Sequence, residues 1–242
     1  MLQGALSGKV ALVTGGSSGI GRAAALLFAE QGASVVIADV NEKGSSETVS
    51  RIKWKGGDAR FVRADVSRDV DNEAMVQFTV SNFGRLDYAF NNAGVEGVQT
   101  PTADYTMDAW NRVLAVNLTG VWLGMKYELR QMVRQKSGAI VNNASILGNV
   151  GFANASAYCA SKHGILGLTK TAALEYTPFG IRINAVCPSY IETLMHEMPA
   201  GPHPLKQMGK AGEVADAVVW LCTHGSLVTG HPMLIDSGYA AL

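Results

Sequence analysis

Long apolar runs are missing from this 242-residue sequence. None approaches the ~18 residues that a membrane-crossing helix needs, and no charged leader precedes an apolar stretch. A soluble, unprocessed cytoplasmic chain is the expectation. Net charge is missing too: 20 Lys and Arg balance 20 Asp and Glu. No basic field is left to attract nucleic acid or an anionic membrane, so neither is expected as a partner. Cysteine is scarce. Cys159, Cys187 and Cys222 are odd in number and lack C-x-x-C spacing, which reads as free thiols in a reducing compartment. The histidines form no H-E-x-x-H pattern, and Cys222-Thr223-His224 alone is too little for a metal site, so none is expected. Repeats, linkers and shifts of composition are lacking as well. With 48% apolar residues, 1–242 reads as one α/β domain.

What is present concentrates around Ser156-Ala157-Tyr158-Cys159-Ala160-Ser161-Lys162. This stretch opens a helical pattern running to about Phe179, with Ile165, Leu168, Ala172 and Leu174 as candidate core-facing positions. Residues four apart share a helix face, so the Tyr158 hydroxyl and Lys162 ammonium can meet at one spot. A nearby cation favours the phenolate and lowers the tyrosine pKa, which suits proton exchange with an alcohol or carbonyl. A lone Y-x-x-x-K is more often a solvated helix face. Of the seven tyrosines, however, only Tyr158 has a lysine four residues on.

The first half of the chain supplies the context. Lys9 to Val13 reads as a buried strand, followed by Thr14-Gly15-Gly16-Ser17-Ser18-Gly19-Ile20-Gly21 and a helix from about Ile20 to Gln31. Strand, glycine-rich turn and helix N-terminus together bind a pyrophosphate: glycines admit the anion and free N–H groups face it. No Gly-Lys-Ser/Thr follows, which excludes a P-loop. Ser34 to Ala38 is a second strand ending in Asp39. A carboxylate there can accept both hydroxyls of an adenosine ribose and would repel a 2′-phosphate, which points to NAD. Further strands are expected at Ala59–Arg63, Leu86–Phe90, Gly138–Asn143, Arg182–Cys187 and Met233–Ile235. Helices are expected from a cap at Ser67 to about Asn82, over Met107–Gln135 and over Gly212–Cys222. This alternation gives a single Rossmann-type, doubly wound domain: a seven-stranded parallel sheet with helices on both faces. Ser145 follows a strand end, where open parallel sheets bind ligands, although a strand-end serine is also a common turn residue. Asn117 sits among apolar neighbours inside a long helical pattern, where an amide is a poor helix former.

Taken together, Thr14-Gly15-x-x-x-Gly19-Ile20-Gly21, Asn91-Asn92-Ala93-Gly94, and Ser145 with Tyr158 and Lys162 at +13 and +17 resemble the short-chain dehydrogenase/reductase family over essentially residues 7 to 240. The resemblance implies an NAD(H)-dependent enzyme interconverting a secondary alcohol and a ketone, with Asn117, Ser145, Tyr158 and Lys162 catalytic. It implies dinucleotide contacts from Gly15, Ser17, Ser18, Gly19, Ile20, Gly21, Asp39, Asp65, Val66, Asn91, Ala93, Gly94, Tyr158 and Lys162. The segment Pro188-Ser189-Tyr190-Ile191-Glu192-Thr193 resembles the family's P-G-x-x-x-T turn, which adds Pro188, Ile191 and Thr193. Ser189 and Ser237 stand where the family usually has glycine. The resemblance also implies a homotetramer paired through the long helices. Substrate contacts are expected from Glu96, Ile146, Leu147 and Tyr190, under a short loop region at about 189–210. The rival reading is a dinucleotide-sensing binding protein of the same fold without turnover, which would tolerate erosion of the catalytic positions; all four are intact.

Overall fold

The computed structural model describes residues 4–192 and 208–241. Seven strands form one parallel sheet: β1 (Val10–Thr14), β2 (Ser34–Asp39), β3 (Ala59–Arg63), β4 (Tyr88–Asn91), β5 (Gly138–Asn143), β6 (Ile181–Pro188) and β9 (Pro232–Ile235). Their order across the sheet is β3-β2-β1-β4-β5-β6-β9. The central strands are apolar without interruption because both faces are covered. Along β1, Ala11 and Val13 pack into one core while Leu12 packs into the other; along β2, Val35 and Ile37 oppose Val36 and Ala38 in the same way. A slip of one residue would exchange every one of these positions between the cores.

One face carries α1 (Gly19–Glu30), which packs on α2 (Glu42–Trp54) and α7 (Ala211–Thr223). The other carries α3 (Asp69–Phe83) and α4 (Met107–Leu114), then α5 (Gly120–Gln135) and α6 (Ser156–Tyr176). The order in which the chain fills the sheet reverses between β1 and β4, so the connections that leave these two strands run to opposite faces and open the crevice in which such sheets bind ligands. None of the helices among the described residues is long and apolar enough to cross a membrane.

Four local expectations change. The helix expected over Met107–Gln135 is broken by a π-helical segment at Ala115–Thr119, where Gly120 N–H bonds the Ala115 carbonyl five residues back. Asn117 lies in that widened turn. Ser67 does not cap α3. Its hydroxyl and N–H both donate to the Asp65 carboxylate, 2.7 and 3.0 Å away, and Arg68 takes the cap position. On α6, Ile165 and Ala172 are buried and Leu168 packs on the core, but Leu174 is 82% exposed because it falls on the outer face. Finally, two short strands absent from the expectation, β7 (Ile191–Glu192) and β8 (Gly209–Lys210), pair in parallel. They bracket residues 193–207, so Thr193 and most of the expected substrate-loop region lie outside the described residues.

Candidate active site

The crevice above β1 and β4 is a cleft of about 1020 Å³. That volume exceeds most sites for a single small molecule and suits a dinucleotide with a substrate beside it. At one end the turn after β1 is built for close approach. Gly15 has φ 65°, and a Cβ there would lie 2.8–3.0 Å from Asn92 and Ala93. A Cβ on Gly21 would run into the Gly15 carbonyl. Ser18, at the N-cap of α1, makes no side-chain capping hydrogen bond, and the first turn carries no acidic residue. Backbone donors and the positive end of the helix are therefore left to an anion.

Asp39 lies next to this turn. Its Oδ2 accepts the Ser17 N–H at 3.0 Å and its Oδ1 accepts the Asn41 N–H at 2.9 Å. A carboxylate offers about four lone-pair sites, so each oxygen retains capacity for a further donor. Arg22, the cation in the turn's own helix, is committed elsewhere: it donates to the Ser17 carbonyl and to Thr48, and pairs with Glu47. Asp65 and Val66 line the same end of the cleft, and the Ser67 hydroxyl holds the Asp65 carboxyl below the usual carboxylate range.

At the other end, β5 and α6 bring the chemistry together. Ser145 caps the short turn after β5, where its Oγ accepts the Leu147 N–H at 3.2 Å, and it hydrogen-bonds Tyr158. The Lys162 Nζ is 5.4 Å from the centroid of the Tyr158 ring and donates to the Asn143 carbonyl at 2.7 Å. Burial acts on both groups. It pushes the Tyr158 hydroxyl up to about 12, against the hydrogen bond from Ser145, with the Glu96 charge adding to the rise. It pulls Lys162 down to about 8. The expected lowering of the tyrosine by the lysine is thus not seen. The ammonium is turned to a backbone carbonyl, and desolvation outweighs what its charge would contribute.

Most of the sequence-derived residues converge here. Gly15, Ser17, Ser18, Gly19, Ile20 and Asp39 line one end of the cleft. Ala93, Gly94, Ser145, Tyr158, Lys162, Pro188 and Ile191 line the rest, as do Glu96, Ile146, Leu147 and Tyr190. Three do not face the cleft. Gly21 lies under the turn. Asn91 is buried, and its Nδ2 donates to Glu128 and Asn142. Asn117 is buried as well. Its Oδ1 accepts the Val95 N–H at 2.8 Å, and its Nδ2 donates to the Val95 carbonyl at 2.8 Å and to Ser161 Oγ at 3.3 Å. Asn117 therefore clips the loop after β4 onto the widened turn, with its side chain spent in doing so.

Sequence reasoning missed Phe152 and Tyr239 on the cleft wall. Tyr239 gave no signal because it arrives from the C-terminus. The Asp236 carboxylate accepts the N–H groups of Gly238 and Ala240 at 3.0 and 2.8 Å, and Ser237 and Gly238 both take positive φ. That bend folds the chain end back over the pocket beside Tyr190.

Comparison with known proteins agrees with this geometry. The family model described as "Enoyl-(Acyl carrier protein) reductase" matches residues 15–240. A cyclohexanol dehydrogenase of Acinetobacter sp. (strain SE19) is 44% identical over 239 residues, covering 96% of this chain and 95% of its own length. The crystal structure of levodione reductase superposes with a TM-score of 0.94 at 37% identity, over 98% of this chain and 99% of that one. An NAD+-bound xylitol dehydrogenase structure gives 0.92 at 34% identity, over 97% and 100%. A family model that spans residues 15–240, and matches that run the length of both partners, decide the assignment. The chain belongs to the short-chain dehydrogenase/reductase family.

Proposed function

We propose that this oxidoreductase uses NAD(H) to interconvert a secondary alcohol and a ketone, with Tyr158 as general acid in reduction and general base in oxidation. The observation that carries the reading is the meeting of Ser145, Tyr158 and Lys162 at the wall of a cleft whose far end presents Asp39. The residues suit the dinucleotide. The uncapped start of α1 would hold the pyrophosphate, Asp39 the adenosine ribose, Asp65 and Val66 the adenine side, and Lys162 the nicotinamide ribose. When bound, the nicotinamide supplies or takes the hydride, and the chain supplies position and the proton.

Ser145 would orient the substrate oxygen towards the Tyr158 hydroxyl, which gives its proton to the forming alkoxide. Lys162, buried and hydrogen-bonded to Asn143, would place its positive charge beside that hydroxyl as the proton leaves. Asn117, its side chain spent on Val95 and Ser161, would act by holding the loop after β4 at the cleft wall. Ile146, Leu147, Phe152 and Tyr190 offer mostly apolar contact, which suits a compact ring. Likeness to a cyclohexanol dehydrogenase supports a cyclic alcohol or ketone as the substrate class.

Loss of NADH absorbance should follow addition of cyclohexanone-type and aryl-alkyl ketones. Efficient turnover of a polyol alone would instead sink the ring reading and bring Glu96 forward. A cytoplasmic homotetramer paired through α5 and α6 belongs to the same proposal, motivated by exposed Trp122 and Leu174 on these helices. Light scattering should give four times the 25.6 kDa chain mass, and a monomer would reject that assembly.

A further inference from the structure

A second cluster lies behind the cleft, wholly buried, and the reaction as proposed does not use it. Glu128 on α5 is 0% exposed, and no positive charge acts on its carboxyl among the described residues. Its Oε2 accepts Asn91 Nδ2 at 3.0 Å. The same Nδ2 donates to Asn142 Oδ1 at 3.1 Å, and Asn142 Nδ2 donates to Thr169 Oγ1 at 3.0 Å. The chain of side chains therefore runs from α5 across β4 and β5 to α6.

Two atoms are left over. Glu128 Oε1 and Asn91 Oδ1 are both buried and have no partner. Both point over Gly124, where a Cβ would lie 3.5 and 2.8 Å from them. If Glu128 were ionised, both would be buried acceptors without a donor, which is unfavourable for each. One proton satisfies both at once, because a carboxylic acid and a primary amide form a two-bond ring: acid carbonyl to amide N–H, acid O–H to amide carbonyl.

We propose that Glu128 is a neutral carboxylic acid that donates its proton to Asn91 Oδ1, and that this pair positions the ends of β4 and β5 for the reaction. Burial agrees, since it pushes the Glu128 carboxyl up to about 7. The positions so fixed matter. Asn91 is followed by Asn92, whose N–H and side chain hold the Thr14–Gly15 turn, and by Ala93 and Gly94 on the cleft wall. Asn142 is followed by Asn143, whose carbonyl accepts Lys162. Glu128 is thus a positioning residue that acts through both strand ends, and this role rests on the dinucleotide reading above.

The groups shown against Glu128 are Asn91 from β4 and Gly124 on its own helix, with Asn142, Met125 and Thr169 linked to it through Asn91. On packed elements, Asp69 of α3 pairs with Lys126 and the buried Lys162 of α6 donates to the Asn143 carbonyl; none of these charges acts on the Glu128 carboxyl. The sign follows. An acid whose folded pKa is raised favours the fold below its unfolded value near 4.5, and that contribution drains away as pH rises through about 7. Above that, a buried carboxylate faces an amide oxygen.

The test compares wild type with Glu128→Gln, whose amide reproduces both bonds without titrating. Infrared spectra should show a protonated-carboxyl band at pH 6 that fades near pH 7 and is absent from E128Q. Unfolding midpoints should fall for wild type relative to E128Q between pH 5 and 8. The NADH dissociation constant of wild type should weaken over the same range by about fivefold beyond any change in E128Q, within the span known for side chains acting at one remove. An absent band, or parallel profiles for the two proteins, overturns the role of Glu128 whatever the cofactor. A clear band with no NADH binding at any pH overturns the positioning role through the proposed function instead.

Discussion

Cofactor choice is the part of the proposal that one side chain controls most directly. Asp39 holds two backbone N–H groups, at 3.0 and 2.9 Å, and keeps lone pairs for two ribose hydroxyls. A hydrogen bond to a charged group contributes about 1.5–3 kcal/mol, and two on one carboxylate are not additive. Asp39→Ala should therefore cost about 3 kcal/mol with NADH, on the order of 10²-fold in kcat/KM. Part of that loss comes from the turn itself, since Ser17 N–H loses its acceptor. NADPH should behave oppositely. In wild type its phosphate meets a carboxylate, and Arg22, in the turn's own helix, is held by Ser17, Thr48 and Glu47. Removing Asp39 removes the repulsion without adding a partner, so NADPH should improve by about tenfold at most. Initial rates at 340 nm with both cofactors, for wild type and D39A on one ketone, give all four constants. A wild type that prefers NADPH would refute the reasoning.

Other outcomes follow from the same geometry. Tyr158→Phe keeps the ring in place and removes the proton donor, so kcat should fall by about 10²–10⁴-fold with NADH affinity nearly unchanged; activity within a few-fold of wild type would take Tyr158 out of its role. In wild type at saturating NADH, kcat for ketone reduction should vary little between pH 6 and 7, because a hydroxyl pushed up to about 12 and an ammonium pulled down to about 8 both stay protonated there, while alcohol oxidation should climb with pH. Tyr239→Ala should lower kcat/KM for ring ketones by about tenfold and leave a short acyclic ketone within about twofold, since removal of one apolar wall matters most to the substrate that fills the pocket. Equal effects on both would show that Tyr239 only supports the fold.

Much of this was legible because period and spacing carry it. Buried parallel strands announce themselves as short apolar runs, and the cleft residues sit at strand ends that the alternation of elements locates. Other features carry no local signal. Leu174 looks like a core position by composition, yet helix phase places it outside. Ser67 is a good cap by type, but Asp65, two residues earlier, competes for its hydroxyl and N–H. The break at Ala115–Thr119 depends on Asn117 finding Val95, which comes from a different loop. Tyr239 reaches the pocket only because Asp236 bends the chain, and Glu128 reads as an ordinary exposed helix residue until three other elements close around it. The misses at Asn117 and Glu128 rest on tertiary contacts between residues distant in sequence, whereas those at Leu174 and Ser67 are local competitions that residue type alone does not decide.

The one electrostatic reversal explains more than it spoils. From sequence, Lys162 and Tyr158 form a self-sufficient pair in which the cation acidifies the phenol. In the folded chain burial works against both charges, raising the tyrosine and lowering the lysine. For the proposed reaction, a Tyr158 hydroxyl held protonated would suit ketone reduction, whereas oxidation would need the phenolate and so further positive charge near the hydroxyl. On that proposal a bound dinucleotide would complete the pair, because an oxidised nicotinamide would supply positive charge that a reduced one lacks.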